Sequence, residues 1–306
     1  MNTTPPSALP PSSRTKPVSE FAALAGLTGR TLKRAFSSNV TTWVGTLLFL
    51  AIVLLALLAP WIATHDPLEQ DIIARLQPPS WEHWLGTDNY GRDTFSRLLV
   101  GAQYSLVIGF FSIVLAVIVG TLIGLVAGYV GGRTDIIVMQ AMDVVLAFPA
   151  LILGLILVAM LGATVTNIII AIAFTAVPQF ARIARAPVIA MREREFVQAG
   201  KALGFSNLRI MFRHILPNIL SDILVMASLW MATAVRTEAS LAFIGLGIAP
   251  PTPTWGGMVR EGFETMLDSY SLAIIPSLAV LVLVLALNLI GDGLRDAIDP
   301  KLGSET

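Results

Sequence analysis

Three long stretches of this chain contain no Asp, Glu, Lys or Arg: between Arg97 and Arg133, between Asp143 and Arg182, and between Asp268 and Asp292. Each exceeds the ~20 apolar residues that a helix needs to cross the hydrocarbon core of a bilayer. Charged residues make up only 13% of the sequence, where roughly 25% is usual in a soluble domain. The chain therefore reads as an all-α polytopic membrane protein. Twenty Lys and Arg balance twenty Asp and Glu, so neither a basic field for nucleic acid nor an acidic tail is present. The absence of cysteine excludes disulfide frameworks, thiolate metal sites and a cysteine nucleophile.

Six spans are predicted. The first covers about Trp43 to Ile62, with Trp43 and Trp61 roughly 27 Å apart along a helix, one at each interface. The second covers Ser105 to Tyr129 and ends before Gly131 and Gly132. The long apolar run after Asp143 divides at Gly162–Asn167, giving spans from Ile136 to Leu161 and from Ile168 to Ala184. The fifth runs from Ile219 to Ala239 and the sixth from Leu272 to Ile290. Lys and Arg concentrate before span one, between spans four and five, and after span six, so both termini are expected in the cytoplasm. This gives a cytoplasmic tail over 1–42, a six-span membrane domain over 43–291 and a second cytoplasmic tail over 292–306. The Pro- and Ser-rich first residues lack the apolar core of a cleavable signal peptide. Phe21, Leu24, Leu32 and Phe36 recur among Arg30, Lys33 and Arg34, in keeping with a helix lying on the cytoplasmic membrane face or with a plain solvated linker.

Three segments between spans are too organised to be simple connectors. The external loop over 63–104 holds Trp81, Trp84 and the run Gly86-Thr-Asp-Asn-Tyr-Gly-Arg-Asp-Thr-Phe-Ser-Arg97. Folded loops of this length commonly contact a partner, which makes Asp88, Arg92, Asp93 and Arg97 candidates for docking a receptor protein. A self-packed lid over the helix ends is the equal alternative. His65 and His83 share this loop, but two histidines without helical spacing are weak evidence, and no metal is expected. The cytoplasmic loop over 185–217 reads as a helix stopped by Gly204, then a second helix capped by Ser206 and ended at Pro217. Such a basic helix-turn-helix, joined directly to a span, can carry force from a cytosolic motor; a positively charged loop that only fixes topology is the alternative, which the Gly and Pro punctuation disfavours. The third segment, Gly245 to Gly257, is rich in Pro and Gly and reads as a rigid crossover, with Trp255 as an interfacial anchor.

Inside the membrane, Gly120, Gly124 and Gly128 form a small-xxx-small stripe for close helix approach, within this chain or with a second subunit. Ionisable or polar groups in spans are candidates for a translocation path: Asp143, Arg236, Glu238 and Asn288. Arg236 and Glu238 lie two residues apart and so face different sides; a water-filled path would explain them, but interhelical hydrogen bonds and a snorkelling Arg are the preferred account. The chain has no G-x-x-x-x-G-K-[ST] phosphate loop; Gly200-Lys201 is followed by Ala202. It also lacks H-E-x-x-H and G-x-S-x-G. A transport subunit driven by a separate ATPase fits better than an enzyme. A stand-alone carrier driven by an ion gradient through Asp143, Arg236 and Glu238 is the competing class.

Gln198-Ala-Gly200, Gly204 and Ile215-Leu-Pro217 resemble the EAA loop of bacterial ABC-importer permeases. Gly86-Thr-Asp-x-x-Gly-Arg-Asp-x-x-Ser-Arg97, Ala239 to Gly247, Pro250 to Gly256 and Gly291 to Leu302 resemble the C-type subunit of its dipeptide/oligopeptide branch. The resemblance implies a type I ABC-importer permease fold in the bacterial cytoplasmic (inner) membrane, embedded in lipid. The partners it implies are a second permease, two cytosolic ATPase subunits binding ATP and Mg, and an extracytoplasmic solute-binding protein. It also implies that Glu195, Gln198, Ala199, Gly200, Gly204, Arg209, Arg213, His214 and Pro217 belong to the ATPase-coupling region. The chain itself would need no cofactor. Gln198 stands where the motif usually has Glu, and Gly200 where it has Ala. The branch carries di- and oligopeptides, while relatives serve glutathione, nickel chelates, opines or sugars.

Overall fold

The computed structural model describes residues 40–298. The amphipathic segment expected before span one, and the tail from 299 onward, lie outside the described residues. Among the described residues the only β-type pairing is an isolated bridge between Thr87 and Asp93; everything else regular is helical.

The first helix, α1, is Val40–Ile62. The second, α2, is Thr94–Val130; its 37 residues rise about 55 Å, well beyond a hydrocarbon core. It begins eleven residues before the expected span because Asp93 caps it, its side chain accepting from the Ser96 N–H. Residues 94–104, read from sequence as loop, are thus its first turns. Gly131, at φ +70°, ends it.

The expected third span is broken. Helices α3, Gly132–Leu146, and α4, Ala150–Leu161, meet at 87° across Phe148-Pro149. Proline disfavours helical geometry in the residue before it, and Pro149 itself is extended at ψ 125°. Helix α5, Val165–Arg192, starts at the Thr164 cap and carries Pro178 and Pro187 inside it. The short α6, Glu195–Ala202, leads through Gly204 into α7, Asn207–Leu246. A small helix α8, Trp255–Glu264, precedes α9, Ser271–Ile298, so the helix of span six continues past residue 291 into the expected tail. Among the described residues five helices are long and apolar enough to cross a membrane, and a sixth crossing is present if α3 and α4 form one broken span.

The core has two parts. One lies between α2, α5 and α7, around Ile108, Leu125, Phe180 and Ile219. The other joins α1, α7, α8 and α9, around Ala56, Val235, Trp255 and Leu283. The Gly120–Gly124–Gly128 stripe lies against α5 of the same chain: a Cβ at 120 would stand 2.6 Å from Phe180 Cβ, and one at 128 would stand 3.0 Å from the Arg185 carbonyl oxygen. A second close approach, with no regular spacing to announce it, brings α9 onto α1. There a Cβ at Gly45 would meet Leu289 Cβ at 2.6 Å. Trp255 is buried, not an interfacial anchor: it is 3% exposed and its indole N–H donates to the Leu98 carbonyl at 2.9 Å. By contrast α3 buries none of its residues.

Candidate functional site

At one end of the bundle the chain makes the helix-turn-helix that the sequence predicts, with one difference. Gly204 takes φ +77° and closes α6. Ser206 then caps the next helix, its Oγ accepting from the Arg209 N–H at 3.3 Å. That helix does not stop at Pro217. A π-turn over Ile210–Ile215 intervenes, with the Leu216 N–H reaching back five residues to Met211. The wider turn accommodates the proline ring, which in a regular helix would clash with the carbonyl four residues back. Asn218 donates to the His214 carbonyl at 2.6 Å, and the helix continues into the span.

The turn is braced from inside. Arg209 lies 4.1 Å from the Phe205 ring centroid, Phe205 stacks on His214, and a Cβ at Gly200 would touch Phe205 at 3.2 Å. Tyr129 Oη donates to Asn207 at 2.9 Å, tying the turn to the end of α2. The Gln198 amide donates to the Arg192 carbonyl at 2.9 Å, so it closes the α5–α6 corner as a donor, which a carboxylate cannot do. Glu195, Gln198, Ala199 and Arg209 are exposed, as are Phe196, Leu203, Leu208 and Phe212. Exposed apolar side chains thus lie beside polar ones on this short helix pair.

The four translocation-path candidates do not share one environment. Asp143 of α3 pairs with Arg182 of α5, both about half exposed, and Asp135 pairs with Arg185 one level away. Sequence reasoning left Arg182 and Asp135 out because each partner lies some 40–50 residues off. Arg236 is exposed and donates to Thr233 Oγ1 at 3.0 Å. Glu238, on the other side of the same helix, is 1% exposed with Oε2 3.4 Å from Ser105 Oγ. α2 and the start of α8 cover it, so it bonds between helices and lines no open path in this chain. Asn288 is half-buried.

At the other end, residues 63–93 and α8 form a packed cap. Gly91, at φ +71°, fits against the Asp71 carbonyl so closely that a Cβ would stand 1.7 Å from its oxygen. Asp88, Arg92, Asp93 and Arg97 do not face outward: all four are at most 7% exposed. Arg92 Nε donates to Asp88 at 2.6 Å and Arg97 Nε lies 3.3 Å from the same carboxylate. Both guanidinium groups then donate to Glu261 of α8, at 2.7 and 2.9 Å. The self-packed lid is what the geometry contains, because charges this deep need one another more than they need a partner. Glu261 was missed; it lies 164 residues beyond Arg97, and no local pattern pairs them. Burial alone would raise the Asp93 carboxyl, but hydrogen bonds from the Ser96 side chain and backbone and from His83, with His65 nearby, hold it below its ordinary value. The spacing argument against His65 and His83 also fails: the fold brings their rings within 4.6 Å.

A bundle of membrane-length helices, capped at one end and bearing a braced helix pair at the other, defines a helical membrane protein. Residues 120–304 match the family model described as binding-protein-dependent transport system inner membrane component. Residues 29–79 match the N-terminal TM domain of oligopeptide transport permease C. The dipeptide transport system permease protein DppC of Alkalihalophilus pseudofirmus is 42% identical, over 89% of each chain. The di/tripeptide transport system permease protein DppC of Pseudomonas aeruginosa is 42% identical, over 88% of this chain and 91% of that one. The glutathione transport system permease protein GsiD of Pectobacterium atrosepticum is 41% identical, over 84% and 86%. The chain belongs to the family of binding-protein-dependent inner membrane transport components. It is a non-catalytic permease subunit of an ABC importer in the bacterial inner membrane. Such permeases work with a second permease, ATPases and a binding protein, and carry no cofactor of their own.

Proposed function

We propose that this permease imports di- or oligopeptides, and that the α6–α7 corner is where partner ATPases holding ATP and Mg push on it. The peptide reading draws on the dipeptide and di/tripeptide relatives; the glutathione relative, itself a peptide, sits at the edge of the same substrate class. The coupling reading draws on one observation above all: the chain stays helical from Asn207 through the π-turn at Ile210–Ile215 and on through the span to Leu241. A displacement at the corner is then transmitted along a rigid element instead of being lost in a loop. The open α3–α4 face is where the second permease packs, and Asp143, Arg236 and Asn288 are the path candidates that remain once Glu238 is set aside. Asp88, Arg92, Asp93 and Arg97 shape the cap. What the cap offers a peptide-loaded receptor is its exposed rim, including Ile72, Ile73 and Trp81. The resulting orientation places the cap outside and the helix pair in the cytoplasm, as the positive-inside bias predicts.

The test is uptake by the complex in liposomes, with labelled dipeptide, its receptor and ATP. Gly204 has open space where a side chain would go, so Gly204→Val pays only for the left-handed backbone, about 1–2 kcal/mol. That strain loosens the corner without disturbing the core. Arg209→Glu removes the stack on Phe205 and reverses an exposed charge. Both should lower uptake roughly tenfold, the equivalent of ~1.4 kcal/mol, while basal ATPase activity persists. Receptor-stimulated ATPase and uptake at wild-type rates in both variants would sink the coupling assignment; uptake of other solutes but no peptide would sink the substrate class.

A further inference from the structure

We propose that His65, Glu82 and His83 form a binding site for a borderline divalent metal ion of the zinc type on the cap. The proposal stands on this chain's geometry and does not depend on the transport reading. The chain has three histidines, and two of them converge here from positions 18 residues apart. One ligand atom from each of His65, Glu82 and His83 lies within 4.8 Å of the other two. Tetrahedral zinc with nitrogen and carboxylate ligands needs ligand atoms roughly 3.3 Å apart. The exposed Glu82 and the part-exposed His65 close that difference by side-chain rotation. Two imidazoles and one carboxylate leave a fourth position to water, a composition that zinc sites use.

Two further observations separate this cluster from a chance meeting of side chains. First, the imidazoles are oriented. His83 Nδ1 is 3.0 Å from Asp93 Oδ1 and His65 Nδ1 is 3.0 Å from Thr64 Oγ1. With Nδ1 of each ring engaged, Nε2 is the nitrogen left for a metal, and a carboxylate behind a ligating histidine fixes its tautomer and raises its basicity. Asp93 is itself rigid, its other oxygen accepting from the Ser96 N–H and Oγ at 2.8 and 2.7 Å. Second, among the described residues the basic groups within 4.0 Å of Asp93 are His65 and His83 alone. The bound ion would tie the chain just after α1 to the loop before α2, stapling the cap at a point where the protein otherwise uses single hydrogen bonds.

The experiment uses the complex as isolated from membranes, without a polyhistidine tag and stripped with EDTA. Zinc is titrated in competition with a chromophoric chelator, and cobalt(II) is added separately as an optical reporter of tetrahedral coordination. The expected result is one zinc bound per complex by the wild type beyond that bound by His65→Ala. Affinity in His65→Ala and in Glu82→Gln should fall at least roughly tenfold, the minimum seen even for losing a supporting partner of a ligand. The tetrahedral cobalt band should be lost in both. His65 and Glu82 lie outside the packed core, so both variants should melt like the EDTA-stripped wild type, which separates loss of ligand from loss of fold. Equal zinc stoichiometry and affinity in wild type and His65→Ala, or no zinc bound by the wild type, would overturn the proposal.

Discussion

Replacing Gly124 with leucine should leave no assembled protein in the membrane. At this position α2 and α5 touch backbone to backbone: the first added carbon would stand 2.2 Å from the Ala181 carbonyl oxygen and 2.9 Å from Ala184 Cβ. Neither is the loose end of a flexible side chain, so the helices themselves must part. They cannot part locally, because the approach is as close on either side: a Cβ at Gly120 would stand 2.6 Å from Phe180 Cβ and from the Val177 carbonyl oxygen, and one at Gly128 3.0 Å from the Arg185 carbonyl oxygen. Inserting extra carbon into a packed core costs about 1–3 kcal/mol, and Gly124→Ala should fall at the top of that range. Leucine adds three further carbons where no space exists. In lipid no hydrophobic force compensates, since close packing is itself what drives helices together. Val126→Leu, on the exposed side of the same helix, is the control. Detergent-extracted yield and thermal stability by size exclusion should be near wild type for Val126→Leu, reduced for Gly124→Ala and absent for Gly124→Leu. Normal yield from Gly124→Leu would show that α2 and α5 do not meet here.

That contact illustrates which parts of the fold local sequence carries. A stripe with a period of four and long uncharged runs keep their meaning whatever surrounds them, so the spans and the small-residue stripe were legible. The sequence did not say which helix the stripe met, because small residues fit any close neighbour. Breaks inside apolar runs were harder. Phe148-Pro149 bends α3 against α4 through 87°, yet the hydropathy is continuous across it. Pro217 was read as a stop because proline usually is one; the π-turn at Ile210–Ile215 that tolerates it has no local signature. The cap was least legible. The charges of Asp88, Arg92, Asp93 and Arg97 are visible in the sequence, but receptor docking and a self-packed lid fit them equally well there. Only the arrival of Glu261 and the shielding by α8 turn them inward. The same long-range folding brings together two histidines that their spacing kept apart.

The cap's ion cluster carries the second large effect, and Arg97→Met is the substitution that exposes it. Arg92 and Arg97 face Asp88 and Glu261, two cations against two anions, with both arginine side chains 2% exposed. Removing one guanidinium leaves an excess negative charge beside an apolar core, and breaking a buried pair from one side costs about 3–5 kcal/mol. Glu261 is 29% exposed, so water screens part of that charge and the expected loss is about 3 kcal/mol. Arg97→Lys should recover only part of it, since an ammonium cannot bridge two carboxylates as the planar fork does. The decisive comparison is Arg97→Met with Glu261→Gln. Restoring the charge balance should recover a substantial share of the lost stability, as expected when the penalty is an unpaired charge and not lost packing. Thermal melting of the assembled protein and protease access to residues 63–93 measure the two sides of this. A double variant no more stable than Arg97→Met would place the energy in the packing of the arginine stem, and an unchanged melt in Arg97→Met would remove the cluster from the stability of the cap altogether.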